Sequence, residues 1–275
     1  TGAPSAAELS RVPHHFVGFL DPSESMSAGK FEALARPVVD RLNADGKIAI
    51  VAGGSGLYIR ALIDGLAATP SALESIRSEL AERAASEGVA ALYAELRAVD
   101  PIYADTIGDK DLRRIVRGLE VYTVTGKRFT DNHAEQLSTS APYRAKQVAI
   151  DWPREALHAR INARVDAMLA AGLVDAVKGH LEQGREADLL RLRALGYREI
   201  MAYLRGEDDL EHATDMMKQQ SRRYAKRQLS WFRGDDRIEW IPPDALAEFV
   251  SRAKQDLSEK REGERPRESG TPRNS

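Results

Sequence analysis

Ile48-Ala49-Ile50-Val51-Ala52 is a continuous apolar run that ends directly in Gly53-Gly54-Ser55-Gly56, after which Leu57–Leu66 shows helical spacing. An uninterrupted apolar run of this length is the pattern of a parallel strand covered on both faces. Strand, glycine turn and helix in that order form a βα unit, which places the chain in the α/β class and its chemistry at the carboxyl ends of the strands. The glycines lack the Cβ atoms that keep a ligand away from backbone, and Ser55 sits where a helix N-terminus offers outward-pointing donors. A plain turn with Ser55 as helix N-cap fits the same residues.

The rest of the chain is organised around this unit. Phe31, Leu34, Ala35, Val38, Val39 and Leu42 predict a helix over 31–42, with Pro37 as its weak point. Nothing before Lys30 has the pattern of a first strand or helix, so an N-terminal segment is expected to be missing. From 67 to 140 the texture is helix after helix (71–86, 89–99, 111–123), which reads as an all-helical insertion between two parts of a core at 1–66 and 141–257. A second strand is expected at Gln147–Asp151, then helices carrying Arg160 and Arg164, at Leu173–Glu182, at Tyr197–Leu204 and at Leu210–Trp231, then a strand at Ile238–Ile241. Residues 258–275 are charged and rich in Pro, Gly and Ser, the composition of a disordered tail.

With no cysteine, the chain has no disulfide, thiolate metal site or cysteine nucleophile. No apolar run approaches the ~20 residues that span a bilayer, and the start lacks a signal peptide's pattern, so the reading is cytoplasmic without membrane contact. The formal net charge is only −2, so any polyanion surface must come from local segregation of charge. Residues 218–233, KQQSRRYAKRQLSWFR, supply it with six Lys or Arg and no acid. Cations this dense repel one another unless a polyanion compensates them, and nucleic acid is the first such partner. The alternative is a solvated amphipathic helix with Tyr224, Leu229 and Trp231 inward.

Arg160 and Arg164 stand one helical turn apart and emerge on one face, as a two-arginine phosphate clamp or as partners for Asp166 and Glu155. Arg113, Arg114 and Arg117 cluster on a helix of the insertion, either for a nucleic-acid contact or as a salt-bridged face with Asp109, Asp111 and Glu120. Ser27-Ala28-Gly29-Lys30 is not a phosphate loop, because Glu24 and Phe31 replace the required Gly and Ser/Thr. His14 and His15 lack further ligands at metal spacing and read as packing or hydrogen-bonding residues.

The order of motifs is more specific than any one of them: Val12-Pro13-His14-His15, Asp21-Pro22, Ala52-Gly53-Gly54-Ser55-Gly56-Leu57-Tyr58, Arg114-Ile115-Val116-Arg117-Gly118-Leu119-Glu120-Val121 with Thr125-Gly126, Arg160-Ile161, Arg164-Val165, Leu195-Gly196-Tyr197-Arg198-Glu199 and Arg222-Arg223-Tyr224-Ala225-Lys226-Arg227-Gln228. Over residues 1–240 this series closely resembles the bacterial tRNA dimethylallyltransferase family. The resemblance implies a P-loop NTPase-like parallel-sheet core with an inserted helical domain. It also implies transfer of a dimethylallyl group from dimethylallyl pyrophosphate to N6 of the adenine beside the anticodon, with Mg2+ as cofactor and a monomeric enzyme. By resemblance Ser55 contacts the target adenine and Arg160 and Arg164 bind the pyrophosphate, with Ser55 and Arg164 the catalytic pair. Arg77, Arg113, Arg114, Arg117, Arg193, Tyr197, Arg198, Lys226 and Arg227 grip the tRNA anticodon stem-loop. No metal ligand is identified in this chain.

Departures from the family pattern are also legible. Ser55, Ser221 and Ser230 replace family threonines, and Gly108 stands where a histidine is usual. Family members start with a phosphate loop and an Asp-Ser segment whose Asp is the general base, and Thr1-Gly2-Ala3-Pro4 resembles the Thr-Ala-Lys-Pro after both. The expectation is a chain that begins past that cradle and base, and so binds RNA without turning over. Two other readings stay open: a transferase acting on free adenine nucleotides, and a non-catalytic RNA-binding remnant.

Overall fold

Gln147–Ile150 (β1) and Ile238–Ile241 (β2) pair in parallel, with Gln147 opposite Ile238 and Ile150 opposite Ile241. The backbone N–H of Asp151 extends the ladder by donating to the carbonyl of Ile241 at 2.8 Å. These coordinates are a computed structural model that describes residues 4–66, 74–132, 141–192 and 194–263. In chain order its helices are α1 (Ala6–Leu9), α2 (Ala28–Ala44), α3 (Gly56–Asp64), α4 (Glu74–Ser86), α5 (Val89–Val99), α6 (Pro101–Asp105), α7 (Leu112–Thr125), α8 (Arg154–Ala170), α9 (Leu173–Glu182), α10 (Glu186–Leu192), α11 (Tyr197–Leu204), α12 (Leu210–Phe232) and α13 (Leu246–Gly263). The class is α/β, a small parallel sheet among many helices. None of the described helices is long and apolar enough to cross a membrane.

The chain separates into two compact units, one of Thr1–Ser27, Val38–Gly56 and Lys146–Ser275, the other of Ala28–Pro37 and Leu57–Ala145. In the first, the long connection between the strands is helical, as parallel strands require. Its core is built from one buried side of each helix: Val165 of α8, Leu173 and Val177 of α9, Leu189 of α10, Ile200 and Met201 of α11 and Met217 of α12. Gly196 permits the turn into α11. Its φ is +95°, and a Cβ there would lie 2.5 Å from the Met217 Cε, so both the backbone and the space call for glycine.

The second unit packs α4–α7 around Leu80, Ala84, Leu92, Leu96, Ala104, Ile107, Ile115 and Leu119. Two acids are buried with them. Asp100 caps α6 by accepting from the Tyr103 N–H at 3.1 Å and also accepts from the Thr130 N–H at 2.9 Å and the Thr130 hydroxyl at 2.7 Å. Burial of a carboxylate is tolerated when its lone pairs are filled in this way. Asp111 caps α7 through the Arg114 N–H, and Gly126 ends that helix in the left-handed conformation.

Two expectations need correction. Residues 48–52 form no strand: Ile50 is 82% exposed, and Ile48 and Val51 are exposed too. A strand covered on both faces needs hydrogen-bonded neighbours, and among the described residues the sheet holds only β1 and β2. At the other end, α13 continues to Gly263, into the stretch from 258 expected to be disordered. Glu, Lys and Arg are good helix formers, and a helix once nucleated propagates at little cost through such residues.

Candidate active site and nucleic-acid interface

The two strongest sequence signals meet in the first unit. The Gln228 side-chain amide of α12 donates to the Gly54 carbonyl at 3.0 Å. A Cβ on Gly54 would fall 1.8 Å from the Gln228 Nε2, and one on Gly56 would fall 2.1 Å from the Trp231 indole. The glycines therefore permit a close approach of the loop backbone to the basic helix. Ser55 lies between the two contacts, exposed, immediately before α3.

Tyr224, Gln228 and Trp231 share one face of α12 by their spacing. The alternative of an amphipathic helix with Tyr224 and Trp231 turned into the core does not hold, since they are 38% and 44% exposed. Trp231 instead backs the glycine loop, and Tyr224 lies under the Arg227 guanidinium at 5.5 Å. The buried residues of this helix are Ala213 and Met217, in its first half. Its second half is thus free to present Arg223, Lys226 and Arg227, all exposed, to a partner.

On α8, the acid that could have neutralised the arginine pair is engaged elsewhere: Asp166 pairs with Lys218 of α12 at 2.7 Å. Arg222 of α12 donates to the Asn162 side-chain oxygen at 2.7 Å. Arg160 lies over the Trp152 ring, 4.2 Å from its centroid. Arg164 is exposed and has no ion-pair partner among the described residues. Arg198 is exposed on α11, whereas Tyr197 packs partly against the core. Arg193 lies outside the described residues.

In the second unit, the arginines on α4 and α7 divide. The Arg77 guanidinium grips the Glu120 carboxylate with two bonds, at 3.1 and 3.3 Å, and Arg117 adds a third at 2.9 Å. Glu120 is 1% exposed, so these are the cations that make its burial possible. Arg114 pairs with Asp111 at 3.5 Å. Arg113 is exposed with no ion-pair partner among the described residues. Arg114 and Arg117 thus have internal partners, and Arg113 is the member of the cluster most open to an external anion.

Gln228 and Trp152 were not singled out from the sequence, and Glu120 was named there only as a possible partner of the arginines on its own helix. Nothing local marks Glu120 as the acid Arg77 will meet from a distant helix, and Gln228 reads as one polar residue in a basic run. The His14 Nδ1 lies 2.8 Å from the Val12 carbonyl, a local hydrogen bond. Among the described residues no three His, Cys, Asp or Glu side chains converge to hold a metal.

An α/β frame whose glycine loop is backed by an arginine-rich helix, with a second arginine pair alongside, has the make-up of a phosphate-handling enzyme. The family model for IPP transferase matches residues 1–235. A tRNA dimethylallyltransferase of Geobacter sulfurreducens is 41% identical over 251 residues, covering 91% of this chain and 81% of that protein. The solved tRNA isopentenylpyrophosphate transferase of Bacillus halodurans aligns with a TM-score of 0.63 at 34% identity, over 94% of this chain and 84% of that one. A eukaryotic dimethylallyltransferase acting on tRNA shares the fold with a TM-score of 0.75 at 24% identity, over 96% of this chain and 69% of its own. The chain belongs to the IPP transferase family.

Proposed function

We propose that this protein modifies tRNA by transferring a dimethylallyl group from dimethylallyl pyrophosphate to the N6 amine of the adenine beside the anticodon. The observation that carries the reading is the docking of Gly53–Gly56, the loop that contains Ser55, on α12, the helix that also carries the exposed Arg223, Lys226 and Arg227. In the reaction the adenine nitrogen bonds to the allylic carbon as the carbon–oxygen bond to pyrophosphate breaks. Positive charge spreads over the allyl group and negative charge gathers on the leaving group, so fixed cations lower the barrier. Arg164 and Arg160 fill that role, and Ser55 orients the amine. The adenine must leave the anticodon-loop stack to reach such a site.

Lys226, Arg227 and Arg198 hold the RNA against the first unit and Arg113 binds it on the second, a reading supported by the exposure of all four. Arginine serves both phosphate contacts and stacking on splayed bases. Mg2+, which the family resemblance implies, would add to the neutralisation of leaving-group charge that Arg160 and Arg164 supply. The reading places the protein in the cytoplasm with its tRNA, acting as a monomer. Its test is Ser55→Ala in the full-length enzyme, which is expected to lower kcat by the equivalent of about 1–3 kcal/mol for one polar contact, with Ser55→Thr tolerated. Unchanged turnover in the alanine variant would reduce Ser55 to a helix cap.

A further inference from the structure

We infer that Trp152 is a positioning residue for the leaving group, holding the Arg160 guanidinium in the plane from which it meets a phosphate; the inference rests on the reading of Arg160 as a pyrophosphate ligand. Trp152 follows β1 at the carboxyl end of the sheet, and its ring lies 4.2 Å from the Arg160 Cζ. The neighbouring cations of the α8–α12 contact are held differently. Lys218 is neutralised by Asp166 and Arg222 is bonded to Asn162.

The difference matters because a carboxylate partner occupies the N–H edge of a guanidinium and cancels the charge that a phosphate would use. A ring face fixes the guanidinium plane by its electrostatic attraction and leaves the N–H donors at the edge available. The same device recurs next door. Asp151 lies 3.7 Å from Arg233, whose Cζ sits 5.4 Å from the Trp240 ring, and Trp240 is in β2. Two arginine–indole stacks therefore lie along the one sheet, at Trp240 within β2 and at Trp152 just past β1, and among the described residues the Arg233 stack has an acid nearby while Arg160 has no ion-pair partner. Arg160 is the one left with uncompensated charge among the described residues.

The test compares Trp152→Leu, Trp152→Phe, Arg160→Ala and the Arg160→Ala/Trp152→Leu pair in the full-length enzyme, measuring KM for dimethylallyl pyrophosphate and Kd for an anticodon stem-loop. The leucine variant should raise that KM about 2- to 5-fold, the scale of one exposed cation–π contact, with RNA affinity unchanged. Phenylalanine, which keeps a ring face, should recover most of the loss, and the double variant should be no worse than Arg160→Ala alone. An unchanged KM in Trp152→Leu beside a raised KM in Arg160→Ala would overturn the positioning role. So would a Trp152→Leu loss that persists undiminished without Arg160, since that is a structural effect. If Arg160→Ala itself leaves the KM unchanged, the leaving-group reading of Arg160 falls first.

Discussion

Replacing Gly56 by alanine puts a methyl carbon 2.1 Å from the Trp231 indole, far inside the ~3.5 Å at which carbon atoms pack. The indole is 44% exposed and can swing outward, so the clash is relieved at the cost of the contact that backs the loop. Overpacking of this kind costs about 1–3 kcal/mol, and alanine returns up to about 1 kcal/mol through its better helix propensity at the start of α3. The expected net loss is about 1–2 kcal/mol. With Trp231→Ala already in place the added methyl meets no ring, and Gly56→Ala should be neutral or slightly stabilising. The coupling between the two sites is then about 2 kcal/mol. Gly54→Ala should cost less, because its obstacle is the end of a flexible glutamine and the loss is one hydrogen bond of about 1 kcal/mol. Urea unfolding followed by circular dichroism gives the three energies of the cycle. If Gly56→Ala costs the same with and without the indole, the loop does not rest on α12 and the site as described is wrong.

The two groups of arginines should fail differently. Arg164→Ala should raise KM for dimethylallyl pyrophosphate and lower turnover with RNA affinity intact, whereas Arg113→Ala should weaken stem-loop binding and flatten its log K against log salt slope by up to about 1; two variants that lose only RNA affinity would refute the clamp. Glu120→Gln should destabilise the helical unit by about 2–3 kcal/mol, because Arg77 and Arg117 lose a shared charge but, being partly exposed, regain water; an unchanged urea midpoint would contradict this. Asp208 raises the pKa of His212 above 6.5 by hydrogen bond and charge, so the pair stabilises the fold below that value and the contribution is lost as pH rises through the raised pKa. The melting temperature of Asp208→Asn should therefore fall below that of the parent near pH 6 and converge with it at higher pH, and a difference that grows with pH would refute the pairing.

Helix limits were legible where a local signal set them. Val89–Val99 ends at Asp100 before Pro101, Leu173–Glu182 begins after Gly172, and Tyr197–Leu204 begins after Gly196. The strand expected at Ile238–Ile241 is β2 with the same limits, its Ile238, Trp240 and Ile241 interrupted by the exposed Glu239. Residues 48–52 carry an equally clear strand pattern, but a strand is completed by its neighbours, and the pattern alone does not supply them. Part of the site followed the same division. The glycine loop and the basic run were visible as separate segments, because close backbone approach and dense charge are both written in residue type. That Gln228 and Trp231 join them was not visible, since the contact spans most of the chain. Tyr224 and Trp231 left an inward-facing alternative open because apolar rings in an amphipathic helix ordinarily turn inward, whereas here they support a loop and an arginine. The sharing of Glu120 by Arg77 and Arg117 depends on how α4 crosses α7, which no local pattern encodes.

The central claim is that the glycine loop and its basic helix serve prenyl transfer to RNA. The measurement that tests it most directly is incubation of the full-length enzyme with labelled dimethylallyl pyrophosphate and either an anticodon stem-loop or AMP, followed by nucleoside analysis. Label is expected on N6 of the adenine beside the anticodon and none on AMP. Label on AMP alone would instead assign the site to free nucleotides, and RNA bound without any transfer would make the protein a binding module.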